Sequence, residues 1–323
     1  MRSRPGNTFA FDCFLMDNFL QIVNRDAALI LDGAMGTELA RRGVSIELPL
    51  WSAAAIRSAP EIVRQIHLDY IRAGADIITT ATFRTDTRTF GKAGLDRGEA
   101  EKATRLAIEL ARDAVEQAKT KRKIWIAGSM SPLEDCYHPE LTPDKNTAFR
   151  EHREKAGWLA AGAVDFILIE TMNTAREALA ASIAALETGL PVLTSFILNS
   201  WGDIFNGDDL AETIRGLTSE GIHGYALNCT HHSTITKTIE KLVTTIGPPM
   251  AVYANAGIYD PLHGWLDDPQ FNPQFYAGVT DRWHRLRVRI IGGCCGTTPE
   301  HIRALGSLKE RVQGDGVSLW TGG

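Results

Sequence analysis

The chain has 323 residues, of which 44% are hydrophobic and 23% charged, the composition of a globular protein with material for a large core. A formal net charge of -5 supplies no positive field for nucleic acid or anionic lipid, and no apolar run reaches the length of a bilayer-spanning helix. Nucleic-acid and membrane partners are therefore not expected, while length alone leaves one large domain or two smaller ones open.

Residues 1–25 read as a leader or short helix, with helical spacing over roughly 17–24, ahead of a domain covering 26–323. The apolar stretch near 9–15 contains Asp12 and is followed by Asp17, which makes a poor secretory signal. From there short runs rich in Ile, Val and Leu alternate with stretches of helical periodicity. Strand 28–31 precedes helix 60–73, strand 76–80 precedes helix 98–119, and strand 124–127 precedes helix 146–161. The alternation continues with strand 165–169 and helix 174–187, strand 191–196 and helix 208–219, and strand 224–227 and helix 233–245. Strand 250–253 with helix 272–286 and strand 289–291 with helix 299–308 complete it. Ser233, Thr174 and Thr298 ahead of Pro299 read as helix starts, and glycines at 74, 162, 189 and 221 read as helix ends before the next strand. Eight such units, without an interdomain linker, predict an α/β fold with a single (β/α)8 TIM barrel.

In a barrel the chemistry gathers at the C-terminal ends of the strands. Those positions hold Asp32, residues 80–82, Gly128, Ser129, Glu170, Ser195, Phe196, Asn228, Cys229, Asn255, Cys294 and Cys295. The five cysteines are Cys13, Cys136, Cys229, Cys294 and Cys295; an odd number with two adjacent makes a poor disulfide framework and points to a reducing, cytoplasmic setting. Glycines flank Cys294 and Cys295, so the backbone can turn sharply and aim two neighbouring thiols at one point. Cys229, at the end of another strand, can complete a three-thiolate site. Zn2+ suits such ligands, and a catalytic site of three protein ligands keeps one position for a substrate thiol. On chemistry alone other readings stay open: inert buried thiols, a redox pair, or a closed structural zinc site recruiting Cys136, His231 or His232.

Five segments carry a resemblance: Leu31-Asp32-Gly33-Ala34-Met35-Gly36-Thr37-Glu38-Leu39, Gly74-Ala75-Asp76-Ile77-Ile78-Thr79-Thr80, Glu170-Thr171, Asn228-Cys229, and Gly292-Gly293-Cys294-Cys295-Gly296-Thr297-Thr298-Pro299. In order and spacing, from about residue 28 to 310, the chain resembles the homocysteine S-methyltransferase family. The resemblance implies a (β/α)8 barrel with zinc on Cys229, Cys294 and Cys295, and homocysteine as methyl acceptor. It places Asp32 and Glu170 near the substrate's ammonium group, Gly33 as a backbone contact, and Asn255 near the metal or the substrate. Ala81 stands where the family often has asparagine, and Ser129-Met130-Ser131-Pro132 replaces a more usual Ser-Val-Gly-Pro stretch; both bear on the donor.

The expected activity is a zinc-dependent homocysteine S-methyltransferase that forms methionine. A chain with room for the barrel alone favours a self-contained donor such as S-methylmethionine, S-adenosylmethionine or betaine over folate- and cobalamin-binding domains. Alternatives are a methyltransferase for another thiol or selenol, such as selenocysteine, and an idle zinc barrel serving as a partner subunit. An aldolase-type barrel would need a strand-end lysine, which none of the eight strand ends supplies. Trp51, Arg84, Arg88, His138, Trp201, Tyr259 and Trp265 are candidates for the donor pocket, and a homo-oligomer is left open.

Overall fold

The computed structural model describes residues 28–260, 264–268 and 270–311, together with residues 19, 21 and 23. Most of the expected leader, Cys13 included, lies outside the described residues. Eight parallel strands form one sheet: β1 (Leu29–Ile30), β2 (Ile77–Thr79), β3 (Trp125–Met130), β4 (Phe166–Met172), β5 (Val192–Phe196), β6 (Gly224–His231), β7 (Ala251–Asn255) and β10 (Ile290–Gly293). β10 pairs with both β7 and β1, and a bridge between Leu31 and Ile77 joins β1 to β2, closing the expected (β/α)8 barrel. β8 (Gly257–Asp260) and β9 (Gly264–Asp267) form an antiparallel hairpin between β7 and its helix.

The helices of the outer ring begin where the chain supplies acceptors for the first free N–H groups. Asp96 accepts from Glu99 N ahead of α5 (Arg97–Ala118), and Asp144 accepts from Asn146 N and Thr147 N ahead of α6 (Lys145–Ala161). Thr174 caps α7 (Ala175–Leu186) as expected, Asp209 caps α8 (Leu210–Ser219) and Asn272 caps α10 (Pro273–Arg285). α3 (Pro60–Ala73) starts on a proline and ends on Gly74 in the left-handed conformation, φ 114°. α11 (Pro299–Ala304), closed by a Thr298–His301 capping box, and α12 (Ser307–Arg311) divide the expected 299–308 helix. Three further short helices sit at the barrel mouth: α1 (Gly36–Arg41), α2 (Ala53–Ser58) and α4 (Thr87–Lys92).

Two expected helix boundaries differ. Ser233 is not the cap of α9 (His232–Val243); β6 runs through His231 directly into the helix, and the His231 ring accepts the Ser233 N–H. At the end of α6, Gly162 stays right-handed and Ala163 takes φ 52°. A Cβ at 162 would stand 2.3 Å from Ile108 Cδ1, the end of a side chain that can shift, so space favours glycine there without demanding it.

Alternation along each strand sorts the barrel interior into layers. The lower layers are apolar: Ile77, Trp125, Ala127, Phe166, Leu168, Leu193, Ala226, Ala251 and Ile290 pack as one buried cluster. Phe19 enters this cluster, stacked on Phe166 at 4.4 Å and edge-on to Trp125 at 5.2 Å. Two residues further along each strand the inward positions become Thr79, Ser129, Glu170, Ser195, Asn228 and Tyr253, a polar layer over an apolar floor. A second, larger cluster lies between the sheet and the helices.

Candidate active site

The polar layer opens into a cavity of about 390 Å³. Its wall includes Asp32, Gly33, Glu170, Cys229, Cys294 and Cys295, so six of the seven residues singled out above meet at one place. The seventh, Asn255, is buried at the end of β7 and is not on the cavity wall; its amide draws the Cys229 thiol toward the charged form.

The three sulfurs lie within 4.8 Å of one another. Cys229 sits in an irregularity of β6, where pairing with β7 shifts between Asn228 and His231 and the residue takes φ 51°. That turn aims its side chain into the barrel axis at a rim position where a regular strand would alternate it outward. Cys294 and Cys295 leave β10 on a tight turn: Cys294 N donates to Ala254 O (2.8 Å), the Cys295 carbonyl accepts from Ala256 N (2.8 Å), and Thr297 N donates to Cys294 O (3.1 Å). Thr297 Oγ1 also donates to Cys294 O (2.7 Å) and accepts from Ala34 N (3.2 Å), while Arg41 donates to the Gly296 carbonyl (2.8 Å). Glycine is required for this packing, since a Cβ on Gly293 would stand 2.4 Å and one on Gly33 2.9 Å from Thr297 Oγ1.

The sulfurs cannot all ionise together. Hydrogen bonds from Cys294 and Cys295 hold the Cys229 thiol well below its ordinary range, and the same interaction with Cys229 pushes Cys294 and Cys295 well above theirs. A dication at the centre would remove that conflict, and a cluster of three converging thiolates fits zinc. Tyr137 Oη lies 3.9 Å from Cys229 Sγ, and its pKa is raised, first by the Cys229 charge. Cys136 is also on the cavity wall, its thiol pushed up by burial. His231 and His232 are not; their rings pack 4.3 Å apart, and His232 packs on Phe271.

Two carboxyl groups line the same cavity as the sulfurs, Asp32 just after β1, the strand beside β10, and Glu170 on β4. Asp32 accepts from Thr79 N (2.8 Å) and Thr79 Oγ1 (3.0 Å), yet burial raises its pKa well above the carboxylate range. Glu170 accepts from Ser129 Oγ, and burial lifts its pKa to about 7. The buried Tyr253 hydroxyl has no hydrogen-bond partner and stands beside Glu170 closely enough to draw its pKa down. Two desolvated carboxyls with an open polar atom form a receptor for a cationic group.

Asn228 braces both sides of this layer. Its Oδ1 accepts from Thr171 N (3.1 Å) and Ser195 Oγ (2.7 Å), and its Nδ2 donates to Thr171 Oγ1 (2.8 Å). Thr171 has φ 62°, next to Glu170, at a register shift between β4 and β5. Sequence reasoning named Asn228 and Ser129 without a role and missed Tyr253 and Tyr137 as partners of the site.

Of the donor-pocket candidates, Trp51 and Arg84 line the cavity, with Phe83 beside them and edge-on to Trp51 at 5.7 Å. Arg88 is instead paired with Glu134 and Glu151, His138 lies on the surface with Glu140, and Trp201 is exposed. The side chains of Tyr259 and Trp265 lie outside the described residues. Lys155, buried on α6, bonds Thr85 and Thr104 behind the cavity wall, so it is no strand-end lysine.

Comparison with known proteins agrees with this geometry. The family model described as homocysteine S-methyltransferase matches residues 29–308. A homocysteine S-methyltransferase of Escherichia coli is 31% identical over 307 residues, covering 88% of this chain and 96% of its own. A selenocysteine methyltransferase of Astragalus bisulcatus is 29% identical, covering 90% and 94%. The crystal structure of the E. coli homocysteine methyltransferase MmuM in its metallated form superposes with a TM-score of 0.77 at 28% identity, over 92% of this chain and 99% of that one. The chain belongs to the homocysteine S-methyltransferase family.

Proposed function

We propose that this protein transfers a methyl group from a small onium donor to the sulfur of homocysteine, forming methionine. The observation that carries the reading is the convergence of Cys229, Cys294 and Cys295 on the wall of a cavity that Asp32 and Glu170 also line. Residues 26–323 serve as the single catalytic domain in this reading, acting on small molecules in the cytoplasm. No helix among the described residues is long and apolar enough to cross a membrane.

Cys229, Cys294 and Cys295 would hold one zinc ion, which when bound supplies a Lewis acid that favours the thiolate form of an acceptor thiol at neutral pH. The chain's own groups do the rest by position. Asp32 and Glu170 take the acceptor's ammonium, with the Tyr253 hydroxyl available beside them, and Gly33 offers backbone where a side chain cannot fit. Asn255 steadies Cys229 from the neighbouring strand. Trp51 and Phe83 present aromatic faces to the donor's positive centre. Met35 and Ile46 add apolar surface to the cavity wall.

In the transfer a bond forms between the acceptor sulfur and the methyl carbon while the donor's bond to that carbon breaks. Its electron pair stays on a leaving group that departs neutral, and the acceptor's thiol proton goes to solvent. No acid or base has to act on the leaving group, so alignment and sulfur ionisation carry the rate.

The test is a panel of S-methylmethionine, S-adenosylmethionine and betaine incubated with homocysteine and zinc-loaded protein, with methionine as readout. Methionine from at least one donor, lost in Cys229→Ser, is expected; none from any donor refutes the reading. Relatives named as selenocysteine methyltransferases favour a second reading in which a selenol is the acceptor. Competition between homocysteine and selenocysteine for one donor separates the two.

A further inference from the structure

We propose that Arg84 determines donor specificity by reading a carboxylate, restricting the enzyme to onium donors that carry an acid group. The inference rests on the methyl-transfer reading above and concerns a residue that reading leaves without a task.

Arg84 is the sole cation among the described residues that line the cavity. Its side chain is 12% exposed, and its ion-pair partner is Asp135 Oδ2, at 3.6 Å. Among the described residues that long contact is its one ionic interaction, and it donates no hydrogen bond. A guanidinium has five N–H donors in a rigid fork, and taking them out of water without acceptors is costly. Arg88, four residues on, shows the ordinary solution: two N–H bonds of 2.8 Å to the two oxygens of Glu151. Arg84 is held in place but left open, with its fork on the cavity. Asp135 is itself fixed, since its Oδ1 accepts from Tyr137 N (2.9 Å).

The surroundings select the anion. Arg84 already shares its charge with Asp135, and no second cation lines the cavity among the described residues, so a dianion such as phosphate would bring negative charge that nothing there balances. A carboxylate on a molecule that also carries a sulfonium or quaternary ammonium brings no net charge. Trp51 and Phe83, the latter adjacent to Arg84 in the chain, provide the faces for that positive centre.

Position assigns the carboxylate to the donor. The acceptor is anchored at its sulfur and its ammonium, on residues of the strand layer and its rim. Arg84 and Asp135 stand on the loops that follow β2 and β3, beyond those strands and on the side from which a second substrate must enter. An acid group on the donor meets the guanidinium there in a bidentate pair.

Matched donors test this: S-methylmethionine against its carboxamide, and betaine against its carboxamide, each with homocysteine. The wild type should prefer the acid over the amide by about 10- to 100-fold in kcat/KM, the scale of one charged hydrogen-bonded pair. Arg84→Gln should collapse that ratio toward one by raising the donor KM, and Arg84→Lys, which keeps the charge but not the fork, should restore part of it. A ratio measured within one preparation does not depend on the fraction of folded enzyme, so a fragile variant still reports. An equal rate with acid and amide in the wild type, an unchanged ratio in Arg84→Gln, or a rise in the homocysteine KM instead of the donor KM overturns the assignment. Absence of product from every donor sinks the methyl-transfer reading and this inference with it.

Discussion

Replacing Glu170 with glutamine should weaken catalysis and strengthen the fold at once. Burial raises the Glu170 pKa from 4.5 to about 7, so the empty cavity disfavours its charge. Because the folded pKa lies above the unfolded one, the unfolded chain gives up its proton first. Stability therefore declines as pH rises from 4.5 through about 7 and stays lower above it. A shift of this size corresponds to about 3 kcal/mol, reduced to about 1–3 kcal/mol because the side chain is partly exposed. Glu170→Gln keeps an acceptor for Ser129 Oγ but has no charge to bury. Without metal or substrate, its melting temperature at pH 8 should exceed that of the wild type by a few degrees, about 2 °C for each kcal/mol, and the two should converge at about pH 4, below the unfolded pKa. In turnover the loss should fall on the ammonium contact. Homocysteine kcat/KM should drop by about 10- to 100-fold, whereas the desamino analogue, which has no ammonium, should change little. A lower melting temperature at pH 8, or an equal loss with both thiols, would refute the assignment of Glu170 as a desolvated ammonium receptor.

Two other substitutions probe the scaffold. His67, on α3, is fully buried with both ring nitrogens unpartnered, and burial lowers its pKa from 6.5 to about 4. The unfolded chain therefore binds this proton first, and stability is lost as pH falls from 6.5 toward 4. His67→Leu should remove about 3 kcal/mol of that acid sensitivity, read as urea midpoints at pH 7 and pH 4.5; parallel losses in both proteins would contradict it. Asn228→Ala should destabilise by about 2–4 kcal/mol in urea unfolding, because Ser195 Oγ and the Thr171 N–H lose their buried acceptor, and methyl transfer should fall with the displaced Glu170 and Cys229. A change under about 1 kcal/mol would mean the network is not the brace described.

The barrel was legible because its signals are local. Apolar runs and helical periodicity place the eight barrel strands and the outer-ring helices within a few residues, though not the β8–β9 hairpin or the short helices α1, α2 and α4, and Thr174 and Gly74 act as the cap and stop their chemistry suggests. The metal candidates were legible because Gly292-Gly293-Cys294-Cys295-Gly296 is compact and unusual, and Cys229 falls at a strand end. What escaped depends on distant partners. The left-handed backbone at Thr171 and Cys229, both non-glycine, is tied to Asn228, whose contacts with Thr171 span 57 residues of sequence, so no local pattern announces it. Tyr137 reaches Cys229 across 92 residues, and nothing in its own loop sets it apart as a partner of a distant thiol. Arg84 and Arg88 looked alike as cavity candidates; only the position of Glu134 and Glu151 shows that one is satisfied and the other is not.

X-ray absorption at the zinc edge of the zinc-loaded protein tests the centre of the account. One zinc per chain with three sulfur neighbours is predicted, falling to two in Cys229→Ser. Fewer than three sulfurs in the wild type, or a spectrum indifferent to Cys229→Ser, would contradict a site shared by Cys229, Cys294 and Cys295.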